Sequence, residues 1–108
     1  MLDAHRPRVL FLCIGNSCRS QMAEGFARTY GSDVMEPLSA GLYPARDIAL
    51  LTKLVMIEKN IDISEQFPKG LEGIPSGPVA TVINMSGQRI PTPEDRPWRN
   101  GKCLTRLV

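Results

Sequence analysis

An α/β domain with an open parallel sheet and helices on both faces, three layers in all, is the fold the sequence predicts. Three observations lead there. The run Val9-Leu10-Phe11-Leu12 is apolar without alternation, as in a strand covered on both sides. Residues 20–30 then place apolar side chains at helical spacing, and Val79 to Met85 (VATVINM) returns to a strand-like run. Strands alternating with helices in 108 residues fit a single domain spanning residues 1–108, with right-handed crossovers.

Taken in order, residues 1–7 are a polar lead-in and Arg8 to Ile14 is the first strand. Gly15 to Ser17 is a turn. Ser20 to Tyr30 is the first helix, with Met22, Ala23, Phe26, Ala27 and Tyr30 as its apolar face, Ser17 as N-cap and Gly31 as its stop. Val34 to Ala40 is a weaker strand, interrupted by Pro37, and Gly41 to Arg46 is a loop. Asp47 caps a second helix running to about Lys59, with Ile48, Leu51, Leu54 and Val55 tracing its apolar positions, and Asn60 ends it in a left-handed conformation. Residues 65–78 hold three prolines and three glycines and read as loop before the VATVINM strand. Pro91, Pro93 and Pro97 break any long element after Ser86, leaving Cys103 to Val108 (CLTRLV) as a candidate last strand.

Composition narrows the function. The net charge of +2, without a basic stripe or a block of like charge, argues against nucleic acid or an anionic membrane as partner. No apolar run approaches the roughly 20 residues of a spanning helix, and the residues after Ile14 continue into a patterned helix rather than a cleavage site. A cytoplasmic location is expected. Three cysteines without a secretory signal do not make a disulfide framework. Cys13 and Cys18 lack zinc-ligand spacing, and the one histidine, His5, lies in the lead-in, so neither metal nor organic cofactor is expected.

The chemistry concentrates in "CIGNSCRS", residues 13–20. A cysteine at a strand end is often only a small buried apolar residue, and an arginine six positions on is weak by itself. The context is stronger: Cys13 closes a strand, Gly15-Asn16-Ser17 makes the loop, and Arg19 opens a helix. Ligands of open α/β sheets bind at the carboxyl ends of strands. Loop amides and the helix N-terminus there favour an anion and a thiolate. Arg19 supplies a planar fork for two oxygens of a tetrahedral oxyanion, Ser20 can donate to the thiolate, and Asn16 can hold the loop's shape. Nucleophile, cradle and clamp then lie within eight residues.

"CIGNSCRS" followed by "QMAEG" resembles the phosphate-binding loop of the low-molecular-weight protein tyrosine phosphatases and of the arsenate reductases that share their fold. "SAG" at Ser39 to Gly41, "NIDISEQF" at Asn60 to Phe67 and "VINMSG" at Val82 to Gly87 extend the likeness over residues 8–87. The resemblance implies a flavodoxin/Rossmann-like fold. It implies Cys13 as the nucleophile of a thiophosphate intermediate and Arg19 as the group that binds phosphoryl oxygens. Ile14, Gly15, Asn16, Ser17, Cys18, Arg19 and Ser20 become the phosphate-binding loop, with Ser20 assisting the thiolate and Cys18 able to pair reversibly with Cys13 under oxidation.

Phosphatases of the family protonate the leaving oxygen with an aspartate in an Asp-Pro pair. This chain has no Asp-Pro; Asp95, in "PEDRPW", is the candidate general acid in that region, and its alternative is a solvated loop carboxylate. Tyr43, after the SAG turn, is a candidate wall of the substrate site. The residues after about 87 do not resemble the family's fourth strand and final helix. The expectation is therefore a divergent or truncated C-terminus lacking both, with apolar sheet surface left exposed. Three functions follow. The first is a cysteine-dependent phosphatase acting on phosphorylated protein or a small aryl phosphate. The second is an arsenate reductase using the same loop and an external thiol reductant. The third is a non-catalytic oxyanion-binding remnant.

Overall fold

The computed structural model describes residues 6–88 and the backbone strand at 104–107. Strand β1 (Arg8–Cys13) leads to helix α1 (Arg19–Gly31), β2 (Glu36–Gly41), α2 (Leu50–Glu58), a single 3-10 turn (Leu71–Gly73), β3 (Thr81–Asn84) and β4 (Leu104–Leu107). The strands form one sheet in the order β2-β1-β3-β4, parallel throughout. The α/β class with an open parallel sheet is thus as expected. Leu104–Leu107, within the CLTRLV segment named as a candidate last strand, pairs with β3 as β4.

Register divides the sheet into two faces. Leu10 lies opposite Leu38 and Val82, and Leu12 opposite Ala40 and Asn84. Leu10, Leu12, Leu38, Ala40 and Val82 pack with Ile74 and Val79 into one buried cluster, flanked by Leu42 and Leu71. The cover on this face is therefore the 3-10 turn and the extended chain that follows it. The other face carries α1, where the Ser39 hydroxyl donates to Glu24. Phe11 and Ile83, opposite each other in register, are only partly buried.

Pro37 sits inside β2 opposite Val9 rather than interrupting it. Because β2 is an edge strand, a missing N–H is tolerated there. Helix α1 turns a different face inward from the one its apolar residues predict. Ser20, Gln21, Glu24 and Gly25 are buried, whereas Phe26 and Tyr30 are exposed and stack on each other at 6.3 Å. Gly25 explains part of this, since a Cβ there would stand 2.8 Å from Met56 Cε and 2.9 Å from Ile63 Cγ2. The absent side chain lets α2 and the Ile61–Ile63 segment close onto α1, around Met22, Ile48 and Met56. The polar side chains on that face serve a hydrogen-bond network described below.

Helix α2 begins two residues later than an Asp47 cap predicts, with Ala49 as an N-cap that makes no side-chain bond. Leu51 and Leu54 are exposed, and Thr52 and Met56 are its buried positions. Asn60 follows the helix at φ 63°, the left-handed conformation its residue type predicts. No helix among the described residues is long and apolar enough to cross a membrane. Leu10 is fully buried at the centre of the main cluster. Leu10→Ala is expected to lower the unfolding free energy by about 2–5 kcal/mol, measured by urea denaturation.

Candidate active site

The loop after β1 sits where the chain order reverses, with β2 on one side of β1 and β3 on the other. Its carbonyls are all held outward. Those of Cys13, Ile14, Gly15 and Ser17 accept from the N–H groups of Leu42 (3.1 Å), Tyr43 (2.8 Å), Ala45 (2.9 Å) and Ala49 (3.1 Å). The Asn16 carbonyl accepts from Gln21 Nε2 at 2.9 Å, and that of Cys18 from Met22 N–H at 2.9 Å. With each carbonyl turned out, the amides turn in. Those of Gly15, Ser17, Cys18 and Arg19 bond no other backbone group among the described residues. Cys18, not Ser17, occupies the N-cap of α1, and no side chain caps the helix, so the N–H groups of Cys18 and Arg19 face an anion site unpaired by side-chain caps.

Two residues make this shape possible. Asn16 adopts φ 52°, a left-handed conformation in which asparagine is better tolerated than most residues. Gly41, at the end of β2, lies directly beneath the loop. A Cβ there would meet Ile14 O at 2.7 Å and Asn16 N at 2.8 Å, both backbone atoms with nowhere to move.

Cys13 is 3% exposed, at the base of the loop. Its Sγ lies 2.9 Å from Ser20 Oγ, which accepts at 2.7 Å from Asn16 Nδ2. With that donor in place, the Ser20 proton is free to point at sulfur. Burial pushes the Cys13 thiol up. The Ser20 hydroxyl, the backbone N–H groups of Ser20 and Asn16, and the Arg19 charge together outweigh it, and the thiol ends below the ordinary cysteine value. The exposed Arg19 is held over the rim by Nη1 donating to the Met85 carbonyl at 2.9 Å, just beyond β3.

The structure thus brings together Cys13, the loop residues Ile14 to Cys18, Arg19 and Ser20. Cys18 is a free, exposed thiol. Tyr43 is joined to the loop through its backbone, while its side chain is 71% exposed. Asp95, like Cys103, lies outside the described residues. Residue-by-residue reading missed the scaffold behind the loop. Asn16 Oδ1 also accepts from Gln21 Nε2 (3.0 Å) and from Lys69 N–H (2.9 Å). Gln21 in turn accepts from Gln66. Glu24 binds Ser39 and Arg28, with Lys69 Nζ at 4.0 Å. The available signal was a helix carrying Ser20, Gln21 and Glu24 along one face, which reads as solvated until their burial is known.

The arrangement can hold a tetrahedral oxyanion by backbone amides and a guanidinium above a sulfur whose ionisation its surroundings favour. Comparison with known proteins agrees with that capacity. The family model described as "Low molecular weight phosphotyrosine protein phosphatase" matches residues 8–96. A glutaredoxin arsenate reductase from Synechocystis is 38% identical over 89 residues, covering 82% of this chain. An arsenate reductase from Shouchella clausii is 52% identical over 58 residues, covering 54% of it. This chain spans 66% of the first relative's length and 41% of the second's. The solved structure of an arsenate reductase in the phosphate binding state superposes with a TM-score of 0.77 and 33% identity, covering 94% of this chain and 75% of that one.

Because the Cys13 value is lowered, its thiolate fills from a lower pH than an ordinary cysteine's. The rate of Cys13 alkylation by iodoacetamide should rise with pH through that lowered midpoint and level off above it, each cysteine being followed by peptide mass spectrometry. Ser20→Ala should move the midpoint up by about one to two pH units, the worth of one hydrogen bond to a charged group. Gly41→Ala should cost about 1–3 kcal/mol of stability in thermal denaturation and weaken binding of inorganic phosphate, because its Cβ displaces the loop backbone.

Proposed function

The chain belongs to the low molecular weight phosphotyrosine protein phosphatase family, and we propose that within it this protein is an arsenate reductase that works from Cys13. The observation that carries the choice is its likeness to relatives named arsenate reductases, at 38% identity across 82% of this chain for the Synechocystis protein. The loop geometry supports the oxyanion half of the reading, and the lowered thiol supports the nucleophile.

Arsenate enters the loop with its oxygens on the inward amides of residues 14–20 and on the Arg19 fork, which leaves Met85 to reach them. The Cys13 thiolate attacks arsenic, an arsenate oxygen leaves as water after taking up protons from solvent, and a sulfur–arsenic(V) bond forms. A second thiolate then attacks the Cys13 sulfur. The new disulfide takes the place of the sulfur–arsenic bond, whose electron pair stays on arsenic and releases it as arsenite. Further thiol reduces the disulfide. The net change is two thiols oxidised to one disulfide and arsenic(V) reduced to arsenic(III). The thiol donor is external, a small thiol or a glutaredoxin-type protein, the latter in keeping with the Synechocystis relative's name. Free thiols at Cys13 and Cys18 suit a reducing cytoplasm.

This route releases water and arsenite, so no alkoxide or aryloxide leaving group requires protonation. A phosphatase does require it, and the family model's own description keeps that second reading in place. There, Cys13 forms a thiophosphate, Asp95 is the candidate proton donor and Tyr43 the candidate wall beside an aryl ring.

The test sets the two reactions side by side. Arsenate-dependent oxidation of glutathione, with glutaredoxin and an NADPH-coupled readout, should proceed with this chain, while hydrolysis of phosphotyrosine, whose phenol leaving group needs the proton, should be slower by about 100-fold or more. Cys13→Ser should abolish turnover and retain binding of inorganic phosphate. Efficient aryl phosphate hydrolysis without arsenate-dependent thiol oxidation, sensitive to Asp95→Asn, would establish the phosphatase instead.

A further inference from the structure

Three hydrogen bonds run in one direction from Gln66 to the Ser20 oxygen, whose hydroxyl faces the Cys13 sulfur and donates to it once the sulfur is a thiolate, and from that geometry we propose that Gln66 is a positioning residue for the thiolate. The order is Gln66 Nε2 to Gln21 Oε1 (2.7 Å), Gln21 Nε2 to Asn16 Oδ1 (3.0 Å) and Asn16 Nδ2 to Ser20 Oγ (2.7 Å), with Ser20 Oγ 2.9 Å from Cys13 Sγ. Each amide receives at its oxygen and passes on at its nitrogen.

The amide orientations follow from their surroundings. Gln21 Nε2 faces three oxygens: the Asn16 carbonyl, Asn16 Oδ1 and the Phe67 carbonyl. Gln66 Nε2 faces two, the Gln21 carbonyl and Oε1. Asn16 Oδ1 receives the Lys69 N–H. Reversing any of the three would set like atoms against each other. Asn16, Ser20 and Gln21 are wholly buried, so water does not screen the links nearest sulfur, while Gln66 is half-buried at the cleft end of the chain.

Aligned dipoles in a buried chain polarise one another, each strengthening the next. All the positive ends point toward sulfur. Gln66 therefore holds Gln21 in the orientation that holds Asn16, and Asn16 holds the Ser20 oxygen so that its proton meets the thiolate. Arg19 is the charged group at the sulfur end. At the Gln66 end the charged groups are Glu24 and Arg28 of α1 together with Asp62, Glu65 and Lys69, which line the same cleft of about 560 Å³. Ion pairing among Glu24, Arg28 and Lys69 balances charge there.

The inference rests on Cys13 as the reacting thiol and not on which oxyanion it meets. Its test uses no substrate, so failure of arsenate turnover and failure of the relay are separate results. The measurement is the thiolate's ultraviolet absorbance against pH, taken as the difference between each protein and its Cys13→Ser counterpart. Gln66→Met, similar in shape but without a donor, should raise the Cys13 midpoint by about half a pH unit. Gln66→Glu, whose carboxylate accepts but cannot donate, should raise it at least as far, and it serves if the methionine variant does not fold. In a Ser20→Ala background, where the last link is already cut, Gln66→Met should cause no further rise. Glu65→Gln, which alters charge next door without touching the chain, should leave the midpoint in place. An unshifted midpoint in both Gln66 variants, or an equal shift with and without Ser20, would overturn the proposal. A role limited to holding the fold would lower the melting temperature and leave the midpoint where it was.

Discussion

The site depends on one side chain, the carboxamide of Asn16. Its backbone takes the left-handed turn that lets six consecutive carbonyls face away from the cradle. Its oxygen takes hydrogen bonds from α1 and from the segment after α2, and its nitrogen steadies Ser20. Three pieces of chain that meet nowhere else in sequence converge on this buried amide. Neither aspartate nor serine could do the same: the first lacks the donor to Ser20, and the single short hydroxyl of the second cannot reach partners on both sides.

Around that hub the fold resolves a conflict. Burial of Cys13 disfavours the charged thiolate that an oxyanion-attacking sulfur needs. Short, directed hydrogen bonds from Ser20 and two backbone amides reverse the balance, with Arg19 adding to them. The same logic recurs behind the loop, where burial pushes Lys69 below an ordinary lysine and Glu24 pulls the other way. Polar and charged groups thus occupy a helix face that would conventionally be apolar. Gly25 lets the apolar side chains of Met56, Ile61 and Ile63 close onto the same helix beside them.

Much of this was legible in the residues. The uninterrupted Val9–Leu12 run announced a strand covered on both faces. The sequence from Cys13 to Ser20 announced the loop, because cysteine, turn and guanidinium adjoin in the chain itself. Asn60 announced its own conformation. What escaped depends on tertiary context. Pro37 reads as a strand breaker until β2 is known to be an edge. Phe26 and Tyr30 read as the inward face of α1 until Gln21 and Glu24 are seen to have partners more than a helical turn away. Ser17 reads as a cap, yet Cys18 holds that position and no side chain takes an amide there. Gln66 carries no local signal at all, since its importance lies in a neighbour reached only after the chain folds back.

The outward-held carbonyls also bear on selectivity. A cradle whose walls are tied down before anything arrives has little freedom to adjust to its guest. Phosphate and arsenate are both tetrahedral, similarly charged and close in size, so a rigid ring of amides will take either. On the proposed arsenate-reductase reading, discrimination between them belongs to the step after capture, where arsenic accepts an electron pair and phosphorus does not. Such a protein would recognise its substrate by reacting with it, and abundant phosphate would compete for the seat without being consumed.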